Sequence, residues 1–301
     1  MKSFLWIAAL LAVGSSLSAI AIRNFNAARH DRFANDPNFI LAGQDLSGIG
    51  RSSDGRWATM ISPNVFVSSQ HFRPGIGQTV TFFLTNDPAG PSFTAEVIAG
   101  QQITSDDNGS PDNSDLWVGV IDGRLPEGYA FYPYATADDG TGLVGDFHYM
   151  VGRSNTSPER PNLENVAIGT NRFSAYDSGA TGNVEAQGVS DQPLLSLNNR
   201  PLTATADEAL VQTFDSGGPT FTVDGGEITL IGTNWIIFSV DGGLISQESS
   251  GFAYLGDHSE AVDAFIAANP PPEPAVVPEP GTFALIGGGA RSEEHTSELQ
   301  S

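Results

Sequence analysis

Between residues 22 and 268 the hydrophobic positions fall in short runs, not on long helical stripes. The runs are Trp57–Ile61, Val65–Ser68, Thr79–Leu84, Phe93–Ile98, Leu116–Ile121, Phe147–Val151, Thr220–Val223, Ile228–Thr233, Trp235–Val240 and Gly251–Leu255. Each has the length of a strand and is shorter than an ordinary helix. Asp54-Gly55, Asp122-Gly123, Asp139-Gly140, Asp224-Gly225 and Asp241-Gly242 punctuate them. Both residue types accept the positive φ of a tight hairpin. The pattern predicts an all-β domain, an antiparallel barrel or a sandwich. One stretch differs: Ser259–Ala268 places Ala261, Val262, Phe265 and Ile266 on one stripe and predicts a short helix that stops before a proline run.

The two ends follow other rules. Lys2 precedes an unbroken apolar stretch from Phe4 to Val13, and Ala19-Ile20-Ala21 follows small residues. A positive start, a short apolar run and an A-x-A exit make a secretory signal; a bilayer span takes roughly 20 residues. Residues 1–21 are expected to be removed on export, the alternative being a buried N-terminal helix. Residues 269–277 are rich in proline and predict an extended linker. Within and beyond it, Val277-Pro278-Glu279-Pro280-Gly281-Thr282-Phe283-Ala284-Leu285 resembles the start of a PEP-CTERM sorting signal. That signal continues into an apolar helix and a basic tail, whereas residues 278–290 end in Gly287-Gly288-Gly289-Ala290. Residues 291–301 resemble a translated sequencing adapter and are set aside. The resemblance implies export in a Gram-negative bacterium, to the periplasm, cell surface or medium. It also implies sorting machinery as a partner, with membrane contact only through the terminal signals.

Composition narrows the classes of function. Thirteen Lys+Arg against 35 Asp+Glu give a net charge of −22. Such a chain has no basic footprint for nucleic acid or anionic lipid. It has no cysteine, which removes disulfides, cysteine-based zinc sites and a thiol nucleophile together. An exported domain without disulfides must be held by its core and so should be large.

Three motifs carry chemistry. Val65-Phe66-Val67-Ser68-Ser69-Gln70-His71 is a β run that ends on polar residues and a histidine. Asn113-Ser114-Asp115-Leu116-Trp117-Val118 opens a β run with an aspartate, and Phe214-Asp215-Ser216-Gly217-Gly218-Pro219 sets a serine before two glycines. A serine hydroxyl needs a base to take its proton and a carboxylate to orient that base. It also needs N–H groups aimed at the developing oxyanion, which a tight Asp-Ser-Gly-Gly turn can present. In this order, the three motifs resemble the trypsin/chymotrypsin-like serine proteases. Met60-Ile61-Ser62-Pro63-Asn64-Val65-Phe66-Val67 resembles the strand-turn-strand that delivers the family's histidine. Leu230-Ile231-Gly232-Thr233-Asn234-Trp235 resembles the strand after its serine, and Ser259–Ala268 its terminal helix.

The resemblance implies two antiparallel β-barrels over residues 22–268 with a short C-terminal helix. The first barrel would give His71 as base and Asp115 as its orienter, and the second Ser216 as nucleophile. The Phe214 and Ser216 N–H groups would form the oxyanion hole, and Leu210, Asn234, Trp235 and Ile236 would touch a protein or peptide substrate. No cofactor is required and no metal is assigned. Two positions differ from the family: Phe214 stands where it has glycine, and Ile236 where a glycine leaves the cleft open. No acid lies in Ala209-Leu210-Val211-Gln212-Thr213, so an apolar specificity pocket fits better than one for basic residues. Removal of residues 1–21 would free the Ile22 amine. The resemblance implies a pair with Asp215; alternatively, residues 22 to about 40 form an arm and Asp215 pairs elsewhere.

Plainer readings stand beside these. His30, His148 and His258 are read as structural. Asp106, Asp107 and Asp112 are read as turn residues of a solvated loop; their oxygens would also suit calcium, without the EF-hand spacing. Trp235 fits a core as well as a substrate platform. Two other functions remain open: a catalytically impaired barrel that binds at a surface or matrix, favoured by Phe214, and a β-sandwich surface protein carrying the serine motif by chance.

Overall fold

The computed structural model describes residues 19–105, 112–137, 140–154, 162–177, 187–190, 207–241 and 246–273. Residues 1–18 of the expected signal, Asp106, Asp107, Asp139, Gly242 and the expected sorting segment and tail lie outside the described residues. The chain to Pro271 makes one compact unit.

A two-residue strand β1 (Ala21–Ile22) and one helical turn α1 (Ala27–His30) lead into the first barrel. Its strands are β2 (Ile49–Ser52), β3 (Trp57–Met60), β4 (Val65–Ser69), β5 (Thr79–Phe83), β6 (Ser92–Ser105) and β7 (Asp112–Ile121). They run in the order β2-β3-β4-β7-β6-β5, and antiparallel pairing of β2 with β5 closes the circle. Next come β8 (Phe147–Gly152), β9 (Ala167–Asp177), β10 (Gln187–Ser190), β11 (Ala209–Leu210), β12 (Pro219–Asp224), β13 (Glu227–Asp241) and β14 (Ser246–Tyr254). The second barrel closes in the order β10-β14-β13-β12-β8-β9, while β11 pairs with β1 outside it. Closure removes the unpaired edges that an open sheet would present. The helix α2 (Ser259–Ala268) follows. The architecture is therefore all-β, two antiparallel barrels and a short C-terminal helix, and not a sandwich.

β4 explains why its sequence reads as a run and not as an alternation: all five residues are buried. Val65 and Val67 join a core that also holds Phe221, Leu230 and Leu255 of the second half and Val262 and Phe265 of α2. Phe66, pointing the other way, packs with Met60, Phe82, Val97 and Trp117 of its own barrel. The second barrel has a smaller cluster of Phe173, Ile231, Phe252 and Tyr254. The two barrels thus share a core, and the cleft over that seam is held on both sides.

Several expected features shift. The runs 228–233 and 235–240 are one strand, β13, with a bulge: pairing passes from Asn234↔Phe252 to Ile236↔Gly251 and skips Trp235. The β12–β13 turn is Gly225-Gly226, at φ 58° and 91°, between the paired Asp224 and Glu227. Two successive positive φ values make a type I′ hairpin, one residue later than the Asp-Gly pair suggests. Asp112 is not a turn residue; it opens β7 opposite Ser105. Strands β1, β2, β9, β10 and β11 do not stand out as apolar runs.

Candidate active site

Strand pairing brings the histidine and the aspartate together. Ser69 of β4 lies opposite Leu116 of β7, so the residues just beyond meet although 44 positions separate them. The His71 backbone N–H donates to Asp115 Oδ1 at 3.1 Å. The ring Nδ1 lies 2.9 Å from Oδ1 and 2.8 Å from Oδ2. With Nδ1–H given to the carboxylate, Nε2 keeps its lone pair and accepts from the Ser216 hydroxyl at 2.8 Å. Asp115 is only 9% exposed and the His71 side chain 48%. The carboxyl group is thus shielded while the His71 ring faces the cleft. Arg73 packs its guanidinium 4.0 Å over the Trp117 ring and donates to the Gln70 carbonyl, fixing the turn that carries His71.

Ser216 is held differently, on the loop from β11 to β12. Asp215 is fully buried and anchors the loop with both oxygens. Oδ1 accepts from the Arg153 N–H at 2.7 Å and Oδ2 from the Gln212 N–H at 2.8 Å. Burial pushes the Asp215 carboxyl up to about 7, against those two donors and the nearby Arg51 and Arg153 charges. The Gly217 N–H donates to the Asn234 carbonyl at 2.8 Å, and the Asn234 N–H returns a bond to the Gly218 carbonyl at 2.8 Å. Gly217 has φ +83°, and a Cβ there would lie 2.7 Å from Ser68 Oγ and 3.0 Å from the Ser69 nitrogen. Only glycine lets the loop approach β4 this closely, and that approach puts Ser216 beside His71.

Phe214 also has a left-handed φ, 76°. Backbone strain of this kind in a bulky residue costs on the order of 1–3 kcal/mol. Its N–H and that of Ser216 have no acceptor among the described residues. The site thus pairs a hydroxyl already bonded to its base with two uncommitted N–H donors nearby in sequence, a pairing suited to acyl transfer.

The cleft beside these groups has a cavity of about 340 Å³. Phe72, Val211, Phe214, Trp235, Ile236 and Ile237 give it apolar walls, and His71, Gln212, Thr213, Ser216 and Asn234 complete the lining. Among the described residues no Asp, Glu, Lys or Arg lines it. Of the residues expected to touch a substrate, Trp235 and Ile236 line this cavity. Leu210 is not: it is 2% exposed, paired with Ala21, and the wall belongs to Val211 instead. Asn234 reaches the cavity but its side chain is committed as a tether. Nδ2 donates to the Val151 carbonyl at 2.7 Å, and Oδ1 accepts from Thr220 Oγ1 at 3.0 Å.

Ile22 does not meet Asp215; it pairs with Ala209 in the β1–β11 ribbon. Ile20 is fully buried, gives its N–H to the Arg153 carbonyl at 3.0 Å, and packs with Asp215 around Gly152. In the uncleaved chain, Ile20 and Ala21 therefore pack into the folded unit. His30, His148 and His258 are buried. His30 Nδ1 accepts from the Asn26 N–H at 2.9 Å and its Nε2 faces Asp207 at 3.0 Å. Burial pushes His148 down to about 3, among Phe173 and Phe252. Arg73, Phe72 and Arg153 escape a reading of the sequence, because no spacing rule marks a residue that acts through its ring or through a neighbour's carbonyl. No protein-family model matches this chain, and no curated protein does.

Proposed function

We propose that this protein is an exported serine endopeptidase of the trypsin/chymotrypsin-like kind, cleaving peptide bonds after apolar residues. The observation that carries the reading is His71, whose two ring nitrogens lie 2.8 Å from Asp115 Oδ2 and 2.8 Å from Ser216 Oγ. In this mechanism Ser216 Oγ attacks the scissile carbonyl while His71 Nε2 takes its proton. Asp115 holds the ring in the productive tautomer and stabilises the imidazolium. The N–H groups of Phe214 and Ser216 receive the oxyanion. His71 then returns the proton to the leaving amine, and a water, activated in the same way, releases the acyl group and restores Ser216. The uncharged, mostly apolar cavity beside Ser216 supports an apolar side chain on the acyl side of the cleaved bond. The signal sequence and the Pro-Glu-Pro segment belong to this reading as export and sorting elements.

Phe214 supports a second reading, an impaired barrel that binds at a surface or matrix, because a strained residue carries half of the proposed oxyanion hole. A fluorophosphonate probe separates the two. Labelling of the purified protein, lost in Ser216→Ala, is the result the peptidase reading expects. A wild-type protein that takes no label favours the binding module.

A further inference from the structure

The strain at Phe214 needs something to hold it. Phe214 is 44% exposed, so burial does not fix its backbone. Two groups flank it instead. The Phe72 ring, from the first barrel, stands 5.9 Å away centroid to centroid and tilted by 53°. The Arg153 guanidinium, from the second, lies 5.6 Å from the Phe214 centroid. Each is itself fastened. Phe72 carries the Arg56 guanidinium at 5.4 Å, and Arg56 pairs with Asp54 at 2.8 Å and donates to the Arg73 carbonyl at 2.8 Å. Arg153 gives its backbone N–H to the Asp215 carboxylate. The four groups Arg56, Phe72, Phe214 and Arg153 form a row that crosses the cleft. It joins the residue after His71 to the residue two before Ser216.

We infer that Phe72 and Arg153 are positioning residues that hold Phe214 in its left-handed conformation and so keep its N–H in place for the oxyanion. The inference rests on the serine-peptidase reading. Ring–ring and cation–ring contacts are individually modest, and so is the preference of an L-residue against left-handed backbone. Two such contacts are therefore enough to decide which conformation predominates. A glycine would adopt this backbone unaided. Phenylalanine makes one oxyanion donor conditional on a contact between the two barrels.

The test measures kcat and KM on a peptide p-nitroanilide with an apolar acyl-side residue. Fluorophosphonate labelling and melting temperatures accompany it for Phe72→Ala, Phe72→Tyr, Phe214→Ala, Phe214→Gly and the double variant Phe72→Ala/Phe214→Gly. With the anchor gone, Phe72→Ala loses about tenfold in kcat as the competent backbone becomes the minor state. KM moves less, and the melting temperature stays near that of wild type. Phe72→Tyr, which keeps the ring, recovers the loss. The double variant is faster than Phe72→Ala, and Phe214→Gly is faster than Phe214→Ala, because glycine needs no anchor. A Phe72→Ala defect confined to KM, or a double variant as slow as Phe72→Ala, overturns the inference and leaves the peptidase reading standing. A folded wild-type protein that neither turns over substrate nor labels overturns both.

Discussion

The two barrels deliver their parts of the site by different means. In the first, His71 and Asp115 sit at the ends of neighbouring strands whose register brings them together, and β4 is buried on both faces. A slip of one residue would exchange Phe66 with Val65 and Val67 between the two differently shaped cores they fill, so the pair is placed by the same packing that stabilises the barrel. In the second, Ser216 rides on a loop between β11 and β12. Individual hydrogen bonds to Asp215 and Asn234 hold it, with positive φ at Phe214 and Gly217. The proposed base and its orienter are thus robustly placed, while the proposed nucleophile and oxyanion donors depend on contacts that can fail one at a time.

The strongest break of this division is Ser216→Ala, expected to lower kcat on the order of 10⁶-fold, as for other triad nucleophiles. Stopped assays with a chromogenic peptide read this directly, and substantial residual turnover would move the chemistry away from Ser216. Asp115→Asn should lower kcat about 10⁴-fold near neutral pH, because the amide favours the wrong tautomer of His71. Its circular dichroism should match wild type, and a loss below tenfold would deny Asp115 its role.

Paired glycine substitutions sharpen the comparison. A Cβ at position 119 would lie 2.3 Å from the Phe66 ring, inside the first barrel's own core. Gly119→Ala should therefore lose about 1–3 kcal/mol of stability with kcat unchanged. A Cβ at position 152 would lie 2.8 Å from Asp215 Cγ. Gly152→Ala should lose a similar stability and in addition up to about 10²-fold in kcat by displacing the loop. Denaturant unfolding and kinetics on both variants decide the matter; equal kcat losses would erase the proposed contrast.

The gentlest effect, spread over about three pH units, is a slope. The Asp215 carboxyl is pushed by burial from 3.8 up to about 7. Between those values the native protein holds a proton that the unfolded chain has released, so this group's contribution to stability falls as pH rises through the window. The change is about 1.4 kcal/mol per pH unit. Asp215→Asn removes that slope. Wild-type and variant stabilities that run parallel from pH 4 to pH 7 would show that Asp215 is ionised throughout.

Legibility in the sequence followed apolar composition and not burial. β3, β4, β5 and β8 are apolar enough to be seen as runs, with ends close to those observed. β2 escapes because Ile49-Gly50-Arg51-Ser52 looks polar, yet all four residues are buried. Arg51 lies 4.2 Å over the Trp57 ring and donates to the Gly55 carbonyl at 2.7 Å and the Asn165 carbonyl at 2.5 Å. The acceptor from Asn165 comes from a distant part of the chain. β9 hides for the same reason: Asn171 is buried, and its side-chain amide donates to the Ala209 carbonyl at 2.7 Å. In both strands tertiary partners satisfy polar groups that a local pattern scores as surface.

By itself the sequence determined the class of the fold, because strand-length apolar runs, glycine turns and the absence of cysteine leave few ways to bury a core. It also determined which histidine, aspartate and serine were worth bringing together, since their neighbours and order carry that information. Tertiary structure alone decided the rest. It placed Ile20 in the core and Ile22 in a ribbon, and moved a pocket wall from Leu210 to Val211. It also turned Asn234 into a tether and set Phe214 left-handed between Phe72 and Arg153. The physical reason is that periodicity records which side of an element faces the core. Strain, buried hydrogen bonds and ring contacts depend on which distant groups arrive at the same point in space.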